Sequence, residues 1–329
     1  MARDDRSQLP RGRTEEERER DREERALRAS ARRRERGERG TRRWLTGVLG
    51  ALALVVVIAG AWLAVRSLRD SRHSQTVAQP VVVKVVIPEG ETRLRIAEIA
   101  AADGLTGSYV KASERSALLS PRAYGAPRGT PDLEGFLFPA TYELYAGVPA
   151  SRLVAEQLEA FREHFGAEQI RRAHELGVTP YQLLTVASMV EREAQVPGDR
   201  AKIAAVIYNR LRIGMALGID ATIYYAIERA RGIATYTGEL TESQLHIDSP
   251  YNTRTHRGLP PTPISNPGTA SMQAAAHPAH VPYLYYVAGA DGCGEQVFSA
   301  TYARFEEDAA AYDAAVKKNG GRPPVCRKK

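Results

Sequence analysis

Hydrophobic and polar positions alternate between a few distinct regimes along this chain. Residues 1–43 hold almost no apolar side chains. Residues 44–65, WLTGVLGALALVVVIAGAWLAV, hold no charge at all. Residues 70–80, DSRHSQTVAQP, are polar again, and from Val81 short mixed patterns take over. The uncharged run is long enough to cross a hydrocarbon core of about 30 Å as one helix. It is apolar on every face, unlike a helix with one buried stripe. Trp44 and Trp62 stand near its two ends, where indoles favour a membrane interface. It is longer and further from the N-terminus than a cleaved signal core, so we read it as an uncleaved transmembrane anchor.

Beyond the anchor, Val81–Ile87 is β-branched and strand-like, and Pro88-Glu89-Gly90 marks a turn. Thr92 is placed to cap a helix carrying Leu94, Ile96 and Ile99, and a second short helix begins at Ser108. Residues 120–132 are rich in Pro and Gly and read as loop. LEGFLFPATYELYAG, residues 133–147, is apolar and aromatic but broken by Gly135 and Pro139. Helical patterns follow over Ser151–Glu163, Ala167–Leu176 and Pro180–Glu193, the last with proline in its first turn. Pro197-Gly198 breaks the pattern, and Asp199 is placed to cap a helix through Leu211. Residues 236–267 read mostly as turn and loop, and Thr269–Ala276 as a short helix. PYLYYVAG and EQVFSAT read as strands joined by ADGCG, and Tyr302–Lys317 as a final helix. Helices and strands mix without βαβ alternation, which predicts an α+β class. The expected divisions are a tail over 1–43, the anchor over 44–65, a linker over 66–80, a small domain over 81–132, a larger mixed domain over 133–317, and a C-terminal tail over 318–329.

Charge refines this picture. The 329 residues carry a formal net charge of +7, of which +5 lies in residues 1–43, with 16 Arg against 11 Asp and Glu. So dense a mixed-charge run cannot bury enough apolar area to offset its ordering entropy, and disorder or a solvated helix is expected. The interleaved acids cancel much of the basic field, which argues against a nucleic-acid arm. Seven arginines between Arg32 and Arg43 crowd the N-terminal side of the anchor, against Arg66, Arg69 and Arg72 beyond it. The positive-inside rule then places the tail in the cytoplasm and the rest of the chain outside. Cys293 and Cys326 both fall in that outer part. A disulfide between them and two free thiols are both open readings, while the lack of a His/Cys cluster speaks against structural zinc. No nucleotide loop, cofactor motif or metal-ligand spacing stands out.

Candidate chemistry gathers at ASMVERE, residues 187–193, where Glu191 and Glu193 end an apolar helix. Residues two apart on a helix point about 200° from each other, so the pair cannot serve one cleft together. Glu191 lies one turn from Ala187, and Glu193 one turn from Met189 and Val190, so periodicity does not choose between them. A carboxyl held against apolar surface keeps its proton to higher pH and suits general acid work.

The order of LEGFLFPATYEL, ASMVEREA, DRAKIAAVIYNRLRIGMALGIDATIYYAI, SPYNTRTHRGLPPTPISNPGTASMQAAAHP and PYLYYVA resembles the YceG-like family of endolytic murein transglycosylases (MltG), over about Val82 to Tyr312. The strand, PEG turn and two short helices of 81–132 resemble a LysM-like, glycan-binding module. The resemblance implies a membrane-anchored lyase that cuts peptidoglycan glycan strands between N-acetylmuramic acid and N-acetylglucosamine, leaves a 1,6-anhydro end, needs no cofactor or metal, and works near peptidoglycan synthases. It implies Glu191, the first of the E-x-E pair, as catalytic acid. It implies substrate contacts at Asn209, Arg210, Asp220, Thr222, Ser249, Tyr251, Asn252 and Thr253. Of these, Tyr251 and Asn252 have the aromatic face and the amide a sugar site needs, and Asp220 has the alternative of a loop cap. The chain departs from the usual family pattern at Ala221 (proline), at Arg254 (tyrosine) and at Gly294-Glu295-Gln296 (Gly-Gly-His). Two rivals remain: a lysozyme-type hydrolase using Glu191 with Asp220, and a non-catalytic glycan-binding scaffold.

Overall fold

The computed structural model describes residues 19–20, 50–67 and 81–326. Most of the expected tail, the first residues of the anchor (44–49) and most of the linker lie outside the described residues. The chain divides into two units, residues 1–79 and 80–329. In the first, helix α1 runs over Gly50–Ser67, is long and apolar enough to cross a membrane, and buries none of its side chains within the protein.

The second unit is α+β. It opens with strand β1 (Val82–Val86), helix α2 (Arg93–Ala102) and short helix α3 (Tyr109–Ala112), then strand β2 (Thr141–Tyr145). β1 and β2 pair antiparallel, with Val82 opposite Tyr145 and Val86 opposite Thr141. The sheet therefore closes across the expected boundary at 132/133, because its second strand lies in TYELY. Alternation in β2 is plain: Tyr142 and Leu144 are buried and their neighbours exposed. Thr92 caps α2 as expected, its hydroxyl accepting from the Arg95 N–H.

Helices α4 (Ala150–His164) and α5 (Ala167–Glu175) lead to α6 (Pro180–Glu193), the centre of the unit. Thr179 and Gln182 form a capping box at its start. Leu183 through Val190 are all 1% exposed or less. A helix apolar on all sides must be surrounded, and α6 packs against α5, α7 (Arg200–Arg212), α8 (Asp220–Arg231) and α10 (Thr269–Ala276). Short helix α9 (Glu242–Leu245) sits in the segment expected to be loop. Strands β3 (Tyr285–Ala288) and β4 (Gln296–Ser299) form a second antiparallel hairpin, covered by α11 (Tyr302–Lys318). A disulfide joins Cys293, in the β3–β4 turn, to Cys326.

Asp199 does not cap α7 with its side chain. Its carboxylate is buried and accepts instead from the Gln296 N–H (2.6 Å) and Lys202 Nζ (3.1 Å), which ties β4 to the start of α7.

Candidate active site

The last turn of α6 carries Glu191 and Glu193 to opposite sides, as helical geometry requires. Glu191 Oε2 accepts from the Gly268 N–H at 2.9 Å, just before α10. Its Oε1 lies 3.6 Å from Arg200, whose Nε in turn donates to Ser271 Oγ. The side chain is 6% exposed. It lines an open cleft of about 650 Å³ together with Glu89, Glu91 and Glu228. Glu89 reaches across to Gly268, where any Cβ would overlap its carboxyl. Burial and the Glu191 charge push the Glu89 carboxyl up, against the pull of Arg200.

Glu193 faces α8 and the β3–β4 hairpin. Tyr286 Oη donates to its Oε2 at 3.0 Å, and the Ala221 N–H in the first turn of α8 is also a donor to it. Burial raises the Glu193 pKa, and the Asp220 carboxylate adds to the rise. The Tyr286 and Ala221 hydrogen bonds and Arg192 oppose it without cancelling it. The residue is still partly exposed. Burial thus moves the Glu193 carboxyl in the direction that general acid work requires. Glu191 is engaged as an acceptor by a backbone N–H and faces a guanidinium.

The other expected site residues fall mainly around the elements that hold Glu193 and Tyr286. Asn209 Nδ2 donates to the carbonyls of Val281 (2.9 Å) and Tyr283 (2.8 Å), and Arg210 Nε to Leu284 (2.6 Å). Arg210 also lies over the Tyr285 ring. These two side chains moor the lead into β3. Asp220, the first residue of α8, is exposed and paired with Arg254 (2.6 Å). Thr222 and Thr253 bond each other at 3.0 Å, and both bond the backbone of Ile219, which fixes the start of α8. Asn252 is fully buried, donating to Leu245 and Ile247 and accepting from the Arg254 N–H. Tyr251 is 7% exposed, bonds Thr262, and meets the edge of Tyr225. Ser249 Oγ accepts from the Tyr251 N–H. Tyr251, Asn252, Thr222 and Thr253 are thus committed to the interior, and Asp220 is the member that acts on the Glu193 carboxyl.

Sequence reasoning passed over Tyr286, Glu89, Glu228 and Asn266. Asn266 is buried and joins three segments. Its Oδ1 accepts from the N–H groups of Gly135 (2.8 Å) and Leu137 (3.0 Å), and its Nδ2 donates to Glu91 O and Glu134 Oε1. Its position in SNPG, within a Pro/Gly-rich loop, was the available signal. Glu134 shares a buried ionic cluster with Asp132, Arg93 and Arg229. Among the described residues, no group of three His, Cys, Asp or Glu side chains is placed to hold a metal ion.

The chain is similar to several known proteins. An endolytic murein transglycosylase of Bacillus subtilis (strain 168) is 39% identical over 175 residues, covering 51% of this chain and 45% of that protein. One from Streptococcus pneumoniae (serotype 2, strain D39 / NCTC 7466) is 34% identical over 156 residues, covering 47% of this chain and 28% of that protein. The matched region thus spans less than half the length of these relatives. A crystal structure of a yceG-like protein, lmo1499 from Listeria monocytogenes, superposes with a TM-score of 0.59 at 32% identity, over 74% of this chain and 80% of that one. The family model named YceG-like family matches residues 58–311, most of the chain, and on that match this protein belongs to the YceG-like family.

Proposed function

We propose that the chain is a membrane-anchored lytic transglycosylase that cuts peptidoglycan glycan strands internally. Glu193, not Glu191, is its general acid. The observation that carries this is the Glu193 carboxyl, raised in pKa by burial and oriented by Tyr286, on a residue that is itself partly exposed. Glu193 gives its proton to the glycosidic oxygen as the bond to the muramic anomeric carbon breaks through an oxocarbenium-like state. The C6 hydroxyl of the same sugar attacks that carbon, and its proton returns to the Glu193 carboxylate. The products are a 1,6-anhydro end and a free hydroxyl on the leaving sugar. One carboxyl completes the cycle and no water is consumed. Tyr286 fixes the carboxyl's direction, while Asp220 helps it hold its proton.

The order β1–α2–α3–β2, with an antiparallel strand pair, supports the LysM-like reading of the region around 81–132 and a glycan-holding role for it. Helix α1 supports a single-pass anchor. The arginine asymmetry supports an inward N-terminus, and a disulfide beyond the anchor suits an oxidising outer compartment. Such an anchor holds the cutting unit at the membrane face, where synthases deliver new strands.

Two other readings rest on specific observations. Glu191 lines the cleft of about 650 Å³, and the Asp220 carboxylate acts on Glu193, which leaves it available as a hydrolase's second carboxylate. Mass spectrometry of peptidoglycan digested by the detergent-solubilised chain decides among them. Anhydro ends that vanish in Glu193→Gln and persist in Glu191→Gln are expected. Loss in Glu191→Gln alone moves the acid to Glu191, and free reducing ends establish hydrolysis.

A further inference from the structure

The cleft on the Glu191 side of α6 has a charge pattern that cutting a glycan does not use. Four carboxyls line it, from Glu89, Glu91, Glu191 and Glu228, against the guanidiniums of Arg95 and Arg192. Arg95 is already paired with Glu98 at 2.6 Å and Arg200 answers Glu191 at 3.6 Å, which leaves Glu89, Glu91 and Glu228 against Arg192. Glu228 supplies an independent observation. The residue is 2% exposed, and its Oε1 accepts from the Tyr236 N–H at 3.1 Å. Its Oε2 has no hydrogen-bond partner among the described residues. A buried carboxyl oxygen left unmatched is costly, and burial raises the Glu228 pKa; a donor entering from the cleft would meet it.

We propose that this cleft binds a peptide through a protonated primary amine. An ammonium brings three donors and no acceptor, so it satisfies the Glu228 oxygen and answers the surplus of carboxyls at once. A neutral sugar hydroxyl offers one donor and leaves the charge unbalanced. The volume, about 650 Å³, suits a short peptide. The inference deepens the glycan-cutting reading above and rests on it. Glu191 and Glu193 are two positions apart on α6, about 3 Å along its axis. In the proposed arrangement, a strand held with its scissile bond at Glu193 passes the stem peptide of the same sugar around the end of α6, from one side of the helix to the other, toward Glu228. Acylation of that amine, which is what a crosslink does, removes the charge. The cleft then selects strands whose stem peptides are still free.

Calorimetric titration of the full chain tests this in the Glu193→Gln background, where ligand is not consumed. The probes are a disaccharide-peptide with a free side-chain amine and the same compound N-acetylated on that amine. The free amine is expected to bind about tenfold more tightly, and Glu228→Gln or Glu89→Gln is expected to erase most of that difference. Equal binding of the two probes to the unaltered cleft overturns the proposal. Thermal melting identifies a Glu228→Gln protein that fails to fold, and Glu89→Gln, at an exposed position, then decides alone. Both cleft variants should cut peptide-free glycan at the unaltered rate when Glu193 is intact. Anhydro products with equal probe binding overturn the amine site and leave the reaction standing. Discrimination between probes by a chain that makes no anhydro product does the reverse.

Discussion

Glu191 and Glu193 differ by two positions and by about 200° around α6, and that angle decides what each carboxyl can do. The E-x-E pair stood out in the sequence as a candidate place for chemistry. Which member holds a proton was not, because both have apolar neighbours one turn back. The answer depends on what the rest of the chain delivers to each face: Gly268 and Arg200 to one, Tyr286 and α8 to the other. Tyr286 comes from a strand 93 residues away in sequence, beyond the reach of any local pattern. Its hydroxyl hydrogen bond opposes the rise in the Glu193 pKa. Tyr286→Phe should therefore lower kcat, by about tenfold for a lost orienting contact, and move the alkaline limb of the pH–rate profile upward. An unshifted limb in that profile would separate Tyr286 from the acid.

At the scale of elements, most helices and the β3–β4 hairpin were readable from periodicity and turn chemistry. Helix α8 was not, because residues 221–223 and 225–228 are buried on nearly every side and give no amphipathic stripe. The pairing of β1 with β2 was hidden for another reason: the partner strand lies more than fifty residues on. Segment contacts are close where motifs meet. Gly135 has φ +90°, and a Cβ there would lie 2.5 Å from Pro263 Cγ and 2.6 Å from Pro263 Cβ. The LEGF segment thus seats directly on the GLPPTP loop. Gly135→Ala combines a left-handed backbone with overpacking, and should cost about 3 kcal/mol in urea unfolding without altering the carboxyls of α6.

For the molecule as a whole, stability should depend on pH through Glu134. Burial, then the neighbouring Asp132, raise its carboxyl to about 7, while Arg93 and Tyr225 pull the other way. A carboxyl raised in the folded state binds its proton more tightly there than in the unfolded chain. Its contribution is therefore intact below the ordinary carboxylate range, near pH 4.5, and is lost as pH rises through about 7. The loss amounts to about 3 kcal/mol. Urea midpoints should fall between pH 5 and pH 8, and Glu134→Gln should flatten that slope. The disulfide adds a second whole-molecule term. It closes a loop of 33 residues, for which chain entropy predicts about 3–4 kcal/mol, so Cys326→Ser should lower the melting temperature measurably. The sequence left that pairing open, since spacing alone does not bring two thiols together.

The same cross-link fastens the stretch at Pro324–Cys326 onto the turn of the hairpin that presents Tyr286; Gly292 passes so near Pro324 that no side chain fits between them. Material produced in a reducing cytosol would have that fastening undone and Tyr286 less firmly aimed at Glu193. Two batches of identical sequence would then differ in specific activity according to the history of two sulfur atoms, and mild oxidation should bring the weaker batch up to the stronger.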